Sequence, residues 1–174
     1  MNAPPTTAIA PDALRRVCSY WTTGIAVITG NASDGSPRGL AVNSFTSLSL
    51  DPPLILFAPG ASSTTWPDIK ATGRFAVNIL SAEQAALAQS FARSGGDKFA
   101  NVALLDSADG MPHLAGAMAR LVCDVETIYA GGDHDIVVGR VLQAQQVEEA
   151  TPLLFYRGKT VSTVENLSPT PTRG

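Results

Sequence analysis

The stretch Ser36–Gly60, SPRGLAVNSFTSLSLDPPLILFAPG, decides the fold. Arg38–Asn43 and Phe45–Leu50 read as extended chain, Asp51-Pro52-Pro53 forces a break, and Leu54–Ala58 reads as a buried strand ended by Pro59 and Gly60. A hydrophobic sheet would carry Val or Ile where this one carries Asn43, Ser44, Thr46, Ser47 and Ser49. The stretch therefore presents an amide and several hydroxyls, either to solvent as an ordinary sheet face or to a polar ligand.

Upstream, Pro11 and Asp12 open a helix whose Leu14, Val17, Cys18 and Trp21 fall at i, i+3, i+4 and i+7, one apolar stripe ended by Thr22-Thr23-Gly24. Gly24–Thr29 is a short strand, and Asp34-Gly35 marks a hairpin turn into the opening stretch. Downstream, the small polar loop Ala61–Thr65 leads into a short helix at Trp66–Lys70. Arg74–Ile79 alternates as a half-buried strand should, with Phe75, Val77 and Ile79 on one face and Arg74, Ala76 and Asn78 on the other. Ser81 with Gln84 has the form of a capping box for a helix reaching Arg93. A long strand follows from about Ala117 to Tyr129, with Cys123, Val125, Thr127 and Tyr129 sharing a face. Gly131-Gly132-Asp133-His134 makes a tight turn, Asp135–Glu148 returns with a bulge at Gly139, and Leu153–Tyr156 is a last short strand. Trp21, Trp66 and Phe75 read as core.

About seven strands joined by hairpins, with two or three helices inserted rather than alternating with them, predict a mainly β protein. The expected architecture is an antiparallel barrel with peripheral helices, not a doubly wound parallel sheet. The 174 residues, 45% hydrophobic and 16% charged, suit one domain over 11–165, flanked by an N-terminal arm (1–10) and a C-terminal tail (166–174) without fixed structure.

Composition excludes several function classes. A net charge of −3 and a pI near 5.2 do not suit nucleic-acid binding, which needs clustered Lys and Arg. No apolar run is long enough for a membrane span, and MNAPPTTAIAPD lacks the basic and apolar regions of a signal peptide, so the expectation is a cytoplasmic protein. Cys18 and Cys123 read as two buried, reduced thiols, and His113 and His134 are too isolated to build a metal site. Phosphate-binding glycine loops, zinc-protease helices and nucleophile elbows are all missing from the sequence. Loops of hydroxyl residues and a turn histidine remain, which suits an enzyme whose cofactor carries the chemistry.

Six blocks in order then carry a resemblance: TTGIAVIT at 22–29, GLAVNSFTSLSLDPPLILF at 39–57, SSTTWPDIKATGRFAVNIL at 62–80, SFARSGGDKF at 90–99, GGDHDIVVGRV at 131–141 and PLLFYRGK at 152–159. Over about residues 12–164 the chain resembles the short flavin reductases that serve two-component monooxygenases. The resemblance implies an FMN-binding split barrel of Greek-key type, a homodimer with flavin near the subunit interface, and reduction of FMN or FAD by NADH or NADPH for a separate monooxygenase. By position it implies that the flavin ring lies against Leu40, Ala41, Val42, Asn43 and Ser44, with Ala58, Pro59 and Gly60 adding contacts. The phosphate falls to Ser62, Ser63 and Thr64 together with Arg93. His134 lies on the nicotinamide side as the catalytic candidate, with Tyr156 near the same pocket. Two positions depart from the family pattern: Arg140 replaces a frequent acidic residue, and Lys159-Thr160 replaces Arg-Tyr.

Blander readings stand beside these. Ser62–Thr65 can simply cap the Trp66 helix, Arg93 can compensate a helix C-terminus, His134 can cap its hairpin, and Asp97-Lys98-Phe99 can be a turn with an exposed ion pair. Two other functions stay open on the residues alone: an oxidase of a small molecule on the same barrel, and a non-enzymatic flavin-binding protein.

Overall fold

The computed structural model of the chain describes residues 8–147 and 150–162; the expected tail 166–174 and residues 1–7 of the expected arm lie outside the described residues. In chain order the elements are α1 (Pro11–Cys18), β1 (Thr23–Gly24), β2 (Ala26–Asn31), β3 (Pro37–Val42), β4 (Thr46–Leu50), β5 (Pro53–Phe57), α2 (Trp66–Thr72) and β6 (Arg74–Ile79). A 3-10 turn (Ala82–Gln84) then runs into α3 (Ala85–Ala92), followed by β7 (Leu104–Leu105), β8 (His113–Leu114), β9 (Ala119–Ala130), β10 (Asp135–Gln146), β11 (Leu154–Tyr156) and β12 (Lys159–Val161). The protein is mainly β, and every strand pairing is antiparallel.

The main sheet has seven strands in the order β3-β2-β6-β9-β10-β5-β4, and smaller sheets pair β1-β11-β12 and β7-β8. The two edge strands of the main sheet, β3 and β4, are joined only through Asn43, Ser44 and Phe45. A flat sheet of this width would hold its edges ~29 Å apart, whereas this link spans at most ~14 Å. The sheet is therefore curled at that end, which brings the link onto the end of β5. The strand count exceeds the expected one because β1, β7, β8 and β12 are two or three residues long and carry no periodicity to read.

Several local expectations hold. Asn31 pairs with Pro37 across the Asp34-Gly35 turn, and Gly35 takes a φ of +80°, open to glycine. The Ser81 N–H donates to the Gln84 side chain at 3.1 Å. The β9–β10 ladder shifts register between Val138 and Gly139. A Cβ on Gly139 would stand 2.5 Å from Phe75 Cζ, so the bulge also makes room for that ring. Phe75 packs edge-on to Phe57 at 5.2 Å, and Phe57 to Trp66 at 5.4 Å. These rings centre the larger apolar cluster, which β2, β3, β5, β9 and β10 complete.

Four expectations fail. β6 is not half-buried: Ala76 and Asn78 are as buried as Phe75 and Val77, because β6 lies in mid-sheet between β2 and β9 with Met111 and Val122 packed on its second face. Asn78 is tolerated there because its amide donates to Val27 O (3.1 Å) and Thr29 Oγ1 (3.0 Å) and its oxygen accepts the Leu114 N–H (2.9 Å). The expected shared face of β9 breaks after Val125. The bulge resets the alternation, so that Ile128 packs on the core and Tyr129 is exposed. Cys123 is buried but Cys18 is exposed. Finally, the apolar stripe of α1 covers nothing: no residue of α1 is buried and Trp21 is 77% exposed.

Candidate active site

Two cavities, each of about 510 Å³, open along β3, one at its start beside Arg38 and Gly39 and one at its end beside Val42 and Asn43. Gly39, on the wall of the first, leaves room for two rings by having no side chain. A Cβ there would lie 2.7 Å from Phe91 Cδ1 and 3.2 Å from Phe99 Cζ. Phe91 and Phe99, packed edge to face at 5.1 Å, therefore rest on bare backbone and draw the 95–99 loop over the strand.

That loop carries Lys98 inward rather than into an exposed pair with Asp97. Lys98 Nζ donates to Gly39 O and Phe91 O at 3.3 Å each and reaches Thr65 Oγ1 at 3.5 Å. Burial pushes its pKa below the ordinary lysine value. Asp97 instead accepts the backbone N–H groups of Phe99 and Ala100, at 3.0 and 3.1 Å. Arg38, on the same wall, is committed to Asp68 at 2.6 Å, and that hydrogen bond raises its pKa. Lys98 makes no ion pair among the described residues, its N–H groups being directed at two carbonyls and a hydroxyl, and it lines the cavity together with Thr64. Arg93 sits at the exposed C-cap of α3, and no hydrogen bond from its side chain occurs among the described residues. Arg93 does not line this cavity.

At the other end of β3, Ala41, Val42 and Asn43 line the second cavity together with Phe155 and Lys159. Leu40 turns into the core. Ser44 is occupied: its hydroxyl accepts the Ala58 N–H at 2.9 Å and donates to Ala58 O at 3.1 Å, fastening the curled edge to the end of β5. Beyond Ala58 the chain meets the β9–β10 turn. Gly60 bridges His134, the Ala61 N–H donates to Asp133 O at 2.8 Å, and the Asp135 N–H donates to the buried Pro59's carbonyl at 3.0 Å.

His134 Nε2 and Ser62 Oγ lie 3.8 and 3.9 Å from where a Gly60 Cβ would stand, so imidazole and hydroxyl both border bare backbone. His134 Nδ1 is 2.8 Å from Asp133 Oδ1, and that bond, with the neighbouring charge, holds the Asp133 carboxyl below its usual range. The turn is held from behind by Trp66 Nε1, which donates to Asp135 at 3.0 Å. Ser63 does what the blander reading expected: its hydroxyl accepts the Trp66 N–H at 3.1 Å at the start of α2. Ser62 and Thr64 remain exposed.

Tyr156 is not part of this junction by its described contacts. It packs edge-on to Tyr20 at 6.4 Å, beneath the Arg157 guanidinium at 5.0 Å from the Tyr20 ring. Arg140 is bound to Glu126 through two bonds of 2.8 and 2.6 Å, which leaves it no free charge toward a ligand. Among the described residues no group of His, Cys, Asp and Glu is arranged to hold a metal ion, and no helix is long and apolar enough to cross a membrane.

The sequence profile of the family described as "Flavin reductase like domain" matches residues 18–163. The chain belongs to this family. It is 42% identical over 151 residues to the flavin reductase of Pseudomonas putida, covering 87% of this chain and 89% of that protein. It is 41% identical over 152 residues to the reductase subunit HsaB of a flavin-dependent monooxygenase from Rhodococcus jostii, covering 87% and 77%. Among solved structures, the Streptomyces globisporus NADH:FAD oxidoreductase SgcE6, in complex with NAD and FAD fragments, superposes with a TM-score of 0.81 at 34% identity, covering 97% of this chain and 100% of that one.

Against this flavin reductase background, the residue that sequence reasoning passed over is Lys98. The D-K-F triplet reads as a surface turn, and only the bare Gly39 backbone and the paired phenylalanines show that the lysine turns in.

Proposed function

We propose that the chain is an NAD(P)H-dependent flavin reductase that takes FMN or FAD along β3 and supplies the reduced flavin to a separate monooxygenase. The observation that carries the reading is a partly buried ammonium with no carboxylate partner among the described residues and a cavity at the other end of the same edge strand, within a chain that matches the flavin reductase family over residues 18–163. A flavin ring is a neutral plane edged with hydrogen-bond acceptors and one N–H donor, so it asks for backbone amides and side-chain amides more than charge. Ala41, Val42 and Asn43 offer these, with Leu40 and Ser44 holding the strand's position, and Ala58, Pro59 and Gly60 form the neighbouring edge. The phosphate falls to Ser62, Thr64 and Lys98, with Ser63 fixing the loop and Arg93 at its rim.

When bound together, the nicotinamide gives a hydride and the flavin accepts two electrons, so no protein nucleophile is needed. What the chain contributes is position. His134 orients the nicotinamide over Gly60, kept in place by Asp133, and Tyr156, packed on Tyr20, stiffens β11, whose Phe155 lines the cavity beside Asn43. The curled seven-stranded sheet supports a split barrel of Greek-key type, closed without hydrogen bonds between β3 and β4. The uncovered apolar face of α1 and the turn after it, with Leu14, Val17 and Trp21 all exposed, supports a homodimer that buries it. Two free thiols suit the cytoplasm.

The test needs a spectrophotometer. Oxidation of NADH or NADPH that depends on added FMN or FAD is the expected result. Oxidation of neither dinucleotide with either flavin overturns the reading, and flavin reduced only by an amine or another small molecule replaces it with the oxidase.

A further inference from the structure

The segment that joins β5 to α2 is gripped near both ends by one residue of the β9–β10 turn. At one end the backbone N–H of Asp135 donates to Pro59 O at 3.0 Å. At the other the Asp135 carboxylate accepts the indole N–H of Trp66, also at 3.0 Å. The chain from Pro59 to Trp66, which carries Gly60, Ser62 and Thr64, is therefore closed into a ring through Asp135, and His134 is the residue beside the closure. The two side chains that close it lie 69 positions apart.

Packing alone does not account for the tryptophan. Trp66 is 3% exposed and packs edge-on to Phe57, a contact that a phenylalanine would also make. What the indole adds is one N–H, which only donates and is costly to bury without an acceptor. Here the acceptor sits on the hairpin. Lys70, one turn further along α2, lies 3.5 Å from the same carboxylate oxygen, but both of those side chains are partly exposed and the pair is screened. Trp66 is also tied to the loop: Ser63 Oγ accepts its backbone N–H at 3.1 Å, and the Ser63 N–H donates to Gly60 O at 2.9 Å. Beyond the backbone bonds at Pro59 and Ala61, one side-chain bond thus couples the loop and the start of α2 to the hairpin.

On the flavin reductase reading proposed above, on which this inference rests, the loop takes the flavin phosphate and the hairpin takes the nicotinamide. The ring then sets where hydride donor and acceptor stand relative to each other. Transfer needs the reacting atoms about 3–3.5 Å apart, and a small misplacement slows it even when both ligands are bound. We propose that Asp135 and Trp66 are positioning residues for hydride transfer: their bond fixes the His134 hairpin against the Gly60–Thr65 loop, and its loss lowers the rate of transfer rather than the affinity for either ligand.

The test is anaerobic single-turnover reduction of flavin in the whole protein, followed by loss of flavin absorbance, with the flavin and dinucleotide that the parent turns over fastest. Steady-state KM values for both are measured alongside. Trp66→Phe keeps a ring on Phe57 and deletes the N–H; it should slow reduction about tenfold with both KM values within about twofold of the parent. Asp135→Ala should do the same, and the double variant should be no slower than either single one, because one bond is lost in all three. Asp135→Asn keeps an oxygen for the indole and should restore most of the rate. Lys70→Met, which removes only the screened pair, should leave the rate unchanged.

A parent that reduces no flavin overturns the reductase reading and this proposal with it. With an active parent, an undiminished rate in Trp66→Phe limits the bond to holding the fold and overturns the proposal alone. A rise in KM with the transfer rate unchanged makes the ring a binding element and also overturns it. So does Asp135→Asn as slow as Asp135→Ala, or Lys70→Met as slow as Trp66→Phe, since either gives the role to charge. Slowing that multiplies in the double variant separates the two residues and overturns the pair. Should Trp66→Phe fail to fold, the contrast between Asp135→Ala and Asp135→Asn decides.

Discussion

The Gly39 end of β3 and the Gly60–His134 junction face one ligand in the proposed function, yet they obtain their polarity by opposite means. At Gly39 a single long side chain is drawn in under a loop, and Lys98 loses enough water for burial to lower its pKa. At the junction the backbone does the work: two strand ends are pinned by the Ala61–Asp133 and Asp135–Pro59 bonds, and the ionisable side chains stay in solvent, with the Asp133 side chain 94% exposed. A charge with little water around it acts strongly on an incoming anion, whereas an exposed pair is screened. The lesson is that substitutions at the first end should change affinity far more than those at the second.

Lys98→Met is the harshest test of that contrast. Losing one charge-assisted contact to a phosphate costs about 1.5–3 kcal/mol, so the KM for flavin should rise roughly 10- to 100-fold with kcat little changed. Arg93→Met, at the exposed C-cap of α3, should change it less than about threefold. Lys98 must also be charged to act. Its pKa lies below the ordinary 10.5, so the flavin KM should climb with rising pH earlier than a normal lysine would allow, and the Lys98→Met variant should lose that climb. The sign reverses for the ligand-free fold: between the lowered folded pKa and the unfolded value the unfolded chain holds more protons, so stability rises with pH across that window. Equal effects of Lys98→Met and Arg93→Met on flavin KM would erase the distinction between a partly buried cation and an exposed one.

Next in size is the latch between them. Ser44→Ala removes the hydroxyl that both accepts from and donates to Ala58, and leaves the Ala58 N–H without its partner. Urea unfolding should show a loss of about 1–2 kcal/mol. Thr46→Ala, whose exposed hydroxyl reaches only the neighbouring Ser47 carbonyl at 3.3 Å, should stay within about 0.5 kcal/mol of the parent. If the two variants unfold alike, the curled edge is not held at Ser44.

How much of this was legible in the sequence follows the same division between local and distant causes. The Asp34-Gly35 hairpin, the Ser81–Gln84 box and the Gly139 bulge were readable because the residues involved sit within a turn of one another or mark themselves by a missing side chain. The two-sided burial of β6 was not, because nothing in Arg74–Ile79 says that β2 and β9 flank it; Asn78 reads as a surface amide until Leu114 and Thr29 meet it. The resemblance named Gly60, Ser62 and His134 for different parts of the ligands, and the structure places Ser62 and His134 beside Gly60, but the resemblance carried no information on which hydroxyls the backbone had already claimed. Ser44 and Ser63 were among those claimed, by Ala58 and by the start of α2. Lys98 was hidden for the related reason that its inward turn depends on two aromatic rings resting on a glycine 59 positions away in the chain but adjacent in space. The exposed stripe of α1 misled in the other direction: its periodicity correctly gave a helix, and a single chain supplies nothing for the stripe to cover.

The smallest expected effect belongs to His134. Its imidazole is half exposed and its bond to Asp133 lies in solvent, so the interaction energy it can lend to a bound dinucleotide is that of a screened surface contact. His134→Ala should therefore raise the KM for the nicotinamide about two- to fivefold while leaving that for flavin unchanged. Asp133→Asn keeps a hydrogen-bonding partner for Nδ1 and removes only the charge, so it should fall between the parent and His134→Ala. The split between the two KM values is what distinguishes orientation of the nicotinamide from upkeep of the turn: the Gly131–Asp135 backbone also holds Pro59 and Ala61, and a turn that merely loosened would carry the flavin edge with it and move both constants together. A fall in kcat of several hundredfold with both KM values unchanged would instead make the imidazole an acid in the reaction, and the view of this end as a positioning surface would have to be given up.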